Sequence, residues 1–337
     1  MHKRRLIVLL AAVLVIAAGG YYGIYRFAKP SVQIEKITFG SSVGLLETTV
    51  WIARNKGYFQ DEGVEVTIET FPSGRAAFLA MLGGKPLDIV SVAPLPIAVE
   101  SLRRNDFRLI AGIAHSLENY KLIANRERGI AAIADLKGKK VGLPAGSSAQ
   151  FFLELALLFN RIPLREVEMV DLKPSDLPAA LANNQVDAIS IWEPYAYMAK
   201  TLLAAKAIRL TPPGAIRATL NLVAMQHVTQ NRAEAIRRFL RAIDRAAAFA
   251  RENKEDTAAI VSKLINLDKE PTAMLLSEYT QGLFLDQGLI ASIEDEARWA
   301  IESKLTDTTV VPNYLDFIYF AGLRSVKPSA ITITGRR

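Results

Sequence analysis

Two stretches decide the fold: Leu82-Gly-Gly-Lys-Pro-Leu-Asp88-Ile-Val-Ser91 and, 99 residues further on, Leu181-Ala-Asn-Asn-Gln-Val-Asp187-Ala-Ile-Ser190. In each, a helical pattern stops at small or polar residues, and a short apolar run then follows an aspartate. Working outward from the first stretch, Ser73 is placed to cap a helix carrying Phe78, Leu79 and Leu82, and Gly83-Gly84 ends it. Earlier still, Ile34–Phe39 alternates as a strand, and Leu46, Val50 and Ala53 recur at helical spacing up to Gly57. Val64–Thr70 and Leu87–Val92 read as the second and third strands. Strands alternating with helices predict parallel βαβ units, hence an α/β fold.

The same grammar restarts near residue 130. Lys140–Leu143 reads as a strand ending in Pro144-Ala145-Gly146, and Ser147 or Ser148 caps a helix with Phe152, Leu155, Phe159 and Ile162 on one face. Val167–Leu172 is a strand, Ser175 to Ala182 a helix, and Asp187–Ile191 a strand. Gly40-Ser41-Ser42 in the first half is echoed by Gly146-Ser147-Ser148 in the second. Any two βαβ units share some of this pattern, so the spacing alone leaves duplication open. The geometry follows either way. Each half aims strand ends and helix N-termini in one direction, and ligands of open α/β sheets bind at the carboxyl ends of strands. Asp88 and Asp187 read as strand-start residues rather than ligands. The remainder is mostly helical. Asn231 is placed to cap a helix with Ile236, Phe239, Leu240, Ile243 and Ala247 on one side, and further helices are predicted near 255–265, 271–281, 293–304 and 313–321.

The chain's 337 residues suggest two domains. Its formal charge of +7 is concentrated at one end: residues 1–30 carry Lys3, Arg4, Arg5, Arg26 and Lys29 and no acid, which leaves 36 basic against 34 acidic residues elsewhere. A near-neutral body gives no footprint for nucleic acid. With no cysteine, disulfides, thiol catalysis, thiolate metal sites and a lipobox are excluded. His2, His115 and His227 are scattered without ligand spacing, so no zinc site is expected. Residues 1–30 join a basic start to the uncharged run Leu6–Tyr25. Two readings stay open, a cleaved signal peptide with small residues near Ala17 or a retained membrane anchor; both place residues 31–337 outside the cytoplasm.

Several motifs in register resemble one family: Ala53-Arg-Asn-Lys-Gly57-Tyr-Phe-Gln-Asp-Glu-Gly63-Val, Phe71-Pro-Ser73-Gly74, Leu87-Asp88-Ile-Val, Ile133-Ala-Asp135-Leu-Lys-Gly-Lys-Lys-Val141, Pro144-Ala-Gly146-Ser147-Ser148, Asn184-Gln-Val-Asp187-Ala and Ile191-Trp192-Glu193-Pro194-Tyr195, with Lys327-Pro328-Ser-Ala-Ile-Thr-Ile near the end. Residues 34–333 are similar to the solute-binding proteins of nitrate, sulfonate, taurine and thiamine-precursor ABC importers. The resemblance implies a type II periplasmic-binding-protein fold, with two lobes joined by a two-strand hinge. Lobe 1 would comprise 31–124 and 218–337, and the inserted lobe 2 would comprise 125–217. The crossing strands are expected near Lys121–Ala124 and Leu220–Met225. One departure bears on the ligand: many relatives carry a tryptophan after the first strand, where this chain has Ser41-Ser42-Val43-Gly44.

The implied cleft gives each candidate a role. Gly146, Ser147 and Ser148 open a helix whose free amides and hydroxyls suit an anionic group, or they form a plain N-cap. Ser73, Gly74 and Arg75 offer the matching set in lobe 1, with Arg75 either an anion partner or a solvated first-turn residue. Trp192 supplies a flat apolar wall. Glu193 either pairs with an amine on the ligand or makes a structural salt bridge. Glu47 begins a helix facing the cleft, where acids are favoured in any case. Ser41, Ser42, Pro94 and His115 complete the expected lining. No catalytic residue, cofactor or metal is implied. The expected partners are a small-molecule ligand, an ABC permease and its ATPase, and the membrane through the N-terminal segment; a monomer is expected. The alternative is a membrane-tethered solute sensor reporting to a separate signalling partner. Thiamine-pyrimidine synthases share the fold, but their cysteine-rich motif has no counterpart in this chain.

Overall fold

The computed structural model describes residues 33–212 and 216–334. The export segment predicted over residues 1–30 lies outside them, and among the described residues no helix is long and apolar enough to cross a membrane. Among the described residues eleven strands run in chain order: β1 (Glu35–Ser41), β2 (Val64–Thr70), β3 (Ile89–Val92), β4 (Phe107–Ser116), β5 (Tyr120–Asn125), β6 (Lys140–Leu143), β7 (Glu168–Asp171), β8 (Ala188–Trp192), β9 (Ala207–Leu210), β10 (Ala218–Met225) and β11 (Thr280–Phe284). They form two mixed sheets, of order β11-β4-β10-β3-β1-β2 and β7-β6-β8-β5-β9. We call the part built on each sheet a lobe.

The 99-residue echo is a repeated structural device. β1 and β3 run parallel, as do β6 and β8. In the first lobe the Thr38 amide donates to Asp88 Oδ2 at 2.8 Å, and the Asp88 amide donates to the Thr38 carbonyl at 2.8 Å. In the second, the Lys140 amide donates to Asp187 Oδ2 at 2.9 Å, and the Asp187 amide donates to the Lys140 carbonyl at 2.8 Å. An arginine holds the second oxygen of each: Arg232 at 2.8 Å from Asp88 and Arg128 at 2.6 Å from Asp187. Each aspartate thus locks the start of a central strand onto its parallel neighbour.

The long helix Ala233–Glu252 covers the first sheet with Ile236, Phe239, Leu240 and Ile243 buried, as its periodicity predicts. Phe239 stacks on Phe59 and meets Phe39 of β1, with ring centroids 5.0 and 5.3 Å apart. Asn231 is not its cap: it ends a preceding short helix, Gln226–Asn231.

The chain crosses between lobes at other places than expected. β5 pairs with β8 and β9, so Lys121–Ala124 lies wholly in the second sheet. Leu220–Met225 lies within β10, wholly in the first sheet, between β3 and β4. The outward crossing is therefore residues 117–119. The return falls in 211–217, of which 213–215 are outside the described residues. β5 is buried along its whole length; a strand buried on both faces carries no mark of which sheet it joins.

Candidate functional site

The carboxyl ends of β1, β2, β3, β6 and β8 supply the walls of one cleft, through Ser42, Ser73, Ala93, Ser147 and Trp192. Three local structures set its character. First, Ser73 caps the helix Gly74–Leu82 by accepting from the Ala76 amide at 3.2 Å. This leaves the Gly74 and Arg75 amides without a partner among the described residues. A side chain at 74 would meet the Ser91 carbonyl oxygen at 2.6 Å, so this helix start sits directly against the end of β3 because the residue is glycine.

Second, the helix Ser148–Phe159 begins at Ser147, whose hydroxyl donates to the Pro144 carbonyl at 2.6 Å and makes no cap hydrogen bond. The amides of Ser147, Ser148 and Ala149 likewise have no partner among the described residues. Unsatisfied amides at a helix start attract anions. Third, the exposed Arg75 of the first lobe lies over Gly146 of the second: a Cβ there would stand 2.8 Å from Arg75 Nε. Arg75 makes no ion pair with a described residue.

The carboxyl groups fall into two kinds. Glu193 is buried and engaged. Its Oε2 accepts from the Tyr197 amide at 2.7 Å, and its Oε1 lies 3.5 Å from Lys121 Nζ. Lys121 in turn donates to Glu278 at 2.9 Å, linking the second lobe to the approach to β11. Burial raises the Glu193 pKa against the pull of the Tyr197 amide and Lys121. Glu47 is also buried, but its partners are donors without charge. The Ser42 hydroxyl donates to Oε1 at 2.5 Å. Burial pushes the carboxyl up to about 7 despite the hydroxyl and amide donors around it. Behind the cleft, Ser148 Oγ accepts from the Leu95 amide at 3.3 Å and donates to Glu296 at 3.2 Å, so the lobes touch there. Burial raises Glu296 to about 8.

Residues 47–257 match the family described as NMT1/THI5 like. The chain belongs to this family. A relative from Bacillus subtilis (strain 168), named for the binding of aliphatic sulfonates, is 28% identical over 320 residues, 91% of this chain and 92% of the relative. The periplasmic aliphatic sulphonate binding protein SsuA from Escherichia coli superimposes with a TM-score of 0.70 at 21% identity, covering 85% of this chain and 97% of that one. The fold is accordingly that of periplasmic binding proteins. It is not confined to binding proteins: a mutant of the desulfurization enzyme DSZB, solved with biphenyl-2-sulfinic acid, superimposes with a TM-score of 0.66 at 17% identity over 88% of this chain and 99% of the enzyme.

Within this family member the expected residues divide. Ser42, Glu47, Ser73, Gly74, Arg75, Ser147, Ser148, Trp192 and Glu193 all line the cleft, and Gly146 touches it through Arg75. Ser41 does not; it is fully buried and its hydroxyl donates to the Ser42 carbonyl at 3.0 Å. Pro94 starts a helix behind the wall that Ala93 and Pro96 present. His115 is removed from the cleft: it sits on β4 opposite Thr219 and Thr280, with its ring edge-on to Phe284 at 5.7 Å. Burial and the Arg217 charge lower its pKa. Glu193 faces the cleft but is held by Lys121 and Tyr197, so the amine partner expected of it is already within the protein. Asn119 and Tyr120 also line the cleft. They follow from the crossing at 117–119, which the sequence reading put several residues later.

Proposed function

We propose that the chain is the extracytoplasmic solute-binding protein of an ABC importer and that it captures a small sulfonate-type anion for delivery to the permease. One observation carries the anion: unpartnered amides at two helix starts, one from each lobe, and the unpaired Arg75 guanidinium meet in a single cleft. Oxygen-rich anions are what such donors recognise. The name of the Bacillus subtilis relative supports a sulfonate among them. Transport rather than sensing follows from the same relatives, and no feature of the cleft favours a sensor. Catalysis is not part of this reading. The cleft offers no cysteine nucleophile, and the likeness to DSZB is one of fold.

The test is a thermal-shift and calorimetric series with alkanesulfonates, nitrate and sulfate. A ligand at about 100 times its dissociation constant should add about 2.7 kcal/mol of stability. Arg75→Ala should weaken sulfonate binding by about 10- to 150-fold, the worth of a charge-assisted hydrogen bond, and leave unfolding nearly unchanged because Arg75 is exposed. Stabilisation by none of these anions would sink the proposal. We further propose a monomer held at the outer face of the membrane by residues 1–30. Cell fractionation with N-terminal sequencing, and gel filtration with light scattering, decide these two points.

A further inference from the structure

A second cavity, of about 750 Å³, lies in the first lobe behind the cleft, lined from the helix Lys254–Ile265, the helix Lys269–Leu276 and β11. Small-molecule sites have volumes of this order. Three features give the cavity a chemistry. First, the helix Lys254–Ile265 starts at its wall without a side-chain cap. Asn253 turns its amide group back to the Phe249 carbonyl at 3.2 Å, and the backbone amides of Lys254 and Glu255 have no partner among the described residues. Second, two lining side chains are buried with a polar atom unmatched. Thr257, on that same first turn, is 4% exposed and its Oγ1 has no hydrogen-bond partner; Gln281 is 8% exposed and its Oε1 has none. Third, the charges are uneven. The acids of the first turn are answered, Glu255 by Lys269 at 3.5 Å and Asp256 by Lys56 at 3.6 Å. Arg251 and Lys254 make no ion pair with a described residue, and Glu270 is the one lining acid left to set against them. Ala250, Ala273, Leu276 and Tyr279 supply the apolar wall.

We propose that this cavity is a second ligand site, for a carboxylate carried on an apolar body. The carboxylate sits at the start of the helix Lys254–Ile265, where free amides and the Thr257 hydroxyl donate to it and Arg251 and Lys254 balance its charge. The apolar body lies along Leu276 and Tyr279. The site is distinct from the cleft but shares a wall with it: Thr48 lines the cavity, and the adjoining Glu47 lines the cleft. Two lining side chains reach through that wall. Gln281 Nε2 donates to the Leu45 carbonyl at 3.3 Å, and the Tyr279 hydroxyl donates to Asn119 Oδ1 at 2.8 Å. Leu45 and Asn119 both line the cleft, and Asn119 belongs to the outward crossing between the lobes. A ligand that orders Tyr279 and Gln281 therefore steadies the crossing, and this links the second site to the first.

Titration calorimetry of the full chain with 2-naphthoate, and with the uncharged 2-naphthylmethanol as its counterpart, tests the site. Naphthoate should bind saturably with one equivalent, and more tightly than the alcohol. Lys254→Ala and Arg251→Ala should each weaken it by about 2- to 5-fold, the worth of an exposed charge pair. Thr257→Val should weaken it by about 2- to 10-fold and yet leave the urea midpoint of the empty protein no lower, because the hydroxyl it removes has no partner there. Ala273→Trp, at an exposed lining position, should block binding, while Arg75→Ala should not affect it. Hydrogen exchange at 117–119 and 279–281 should slow when naphthoate is bound. Absence of saturable binding overturns the site, as does binding that Arg75→Ala removes and Ala273→Trp spares, which would put the naphthoate in the cleft. Equal affinity for the alcohol overturns the carboxylate. Binding without slower exchange at 117–119 overturns the link to the crossing and leaves the site standing.

Discussion

Glycine 146 shows how much of the site depends on a residue without a side chain. Its backbone is left-handed, with φ at 68°, and Arg75 lies against it from the other lobe. Gly146→Ala should therefore act twice. The strained backbone costs about 1–3 kcal/mol, and the new methyl group pushes Arg75 from the place where it meets the second lobe. Urea denaturation should record the first effect and anion affinity the second; an alanine variant as stable as the parent would contradict the backbone account. The sequence made Gly146-Ser147-Ser148 conspicuous because small residues before an apolar run mark a helix start. It did not distinguish Glu47 from Glu193. Both are acids beside a strand end, and only the buried Lys121 and the Tyr197 amide, brought in by folding, commit one of them.

At the scale of elements, the paired strands β3 and β8 were legible because each is announced by an aspartate after a helix stop. The structure gives the reason: each aspartate ties the first residues of its strand to the neighbouring parallel strand and to an arginine. Asp187→Ala should cost about 1.5–3 kcal/mol, the worth of a hydrogen bond to a charged group. Hydrogen exchange should show the loss at the Lys140 amide, and protection there equal to that of the parent would argue against the lock. The Asp187 pKa is lowered even though burial alone would raise it, because the Lys140 amide and Arg128 outweigh burial. β4 and β11 were not legible. β4 is buried on nearly every residue, so it lacks the alternation that marks a strand, and its Gly112 reads as a break. That glycine in fact makes room for Phe284 of β11, whose ring would stand 2.2 Å from a Cβ there. The residues of β11 continue the spacing of the helix Lys269–Leu276, and only pairing with β4 turns Thr280–Phe284 into a strand.

Across the whole molecule, the lobes meet where Ser148 bridges the Leu95 amide and Glu296. The two-lobed architecture was readable from the repeated grammar, but this contact was not, because Glu296 lies in the helix Gln287–Glu302, 148 residues from its partner. The contact has a definite pH dependence. Burial raises Glu296 to about 8, so the closed form binds a proton there that an open, hydrated Glu296 would release at neutral pH. A raised carboxyl stabilises the closed form fully below its ordinary pKa near 4.5, and the contribution is lost progressively as pH rises through about 8. Glu47 adds the same sign in the empty protein, up to about 7. Raising the pH from 6 to 9 should therefore open the empty protein. Small-angle scattering would record this as an increase in radius of gyration. Glu296→Gln keeps a hydrogen bond for Ser148 but has no proton to lose, so it should remove most of the pH response and hold the lobes together at pH 9. A radius of gyration independent of pH in the unmodified chain, or an undiminished response in the glutamine variant, would show that closure does not depend on this proton.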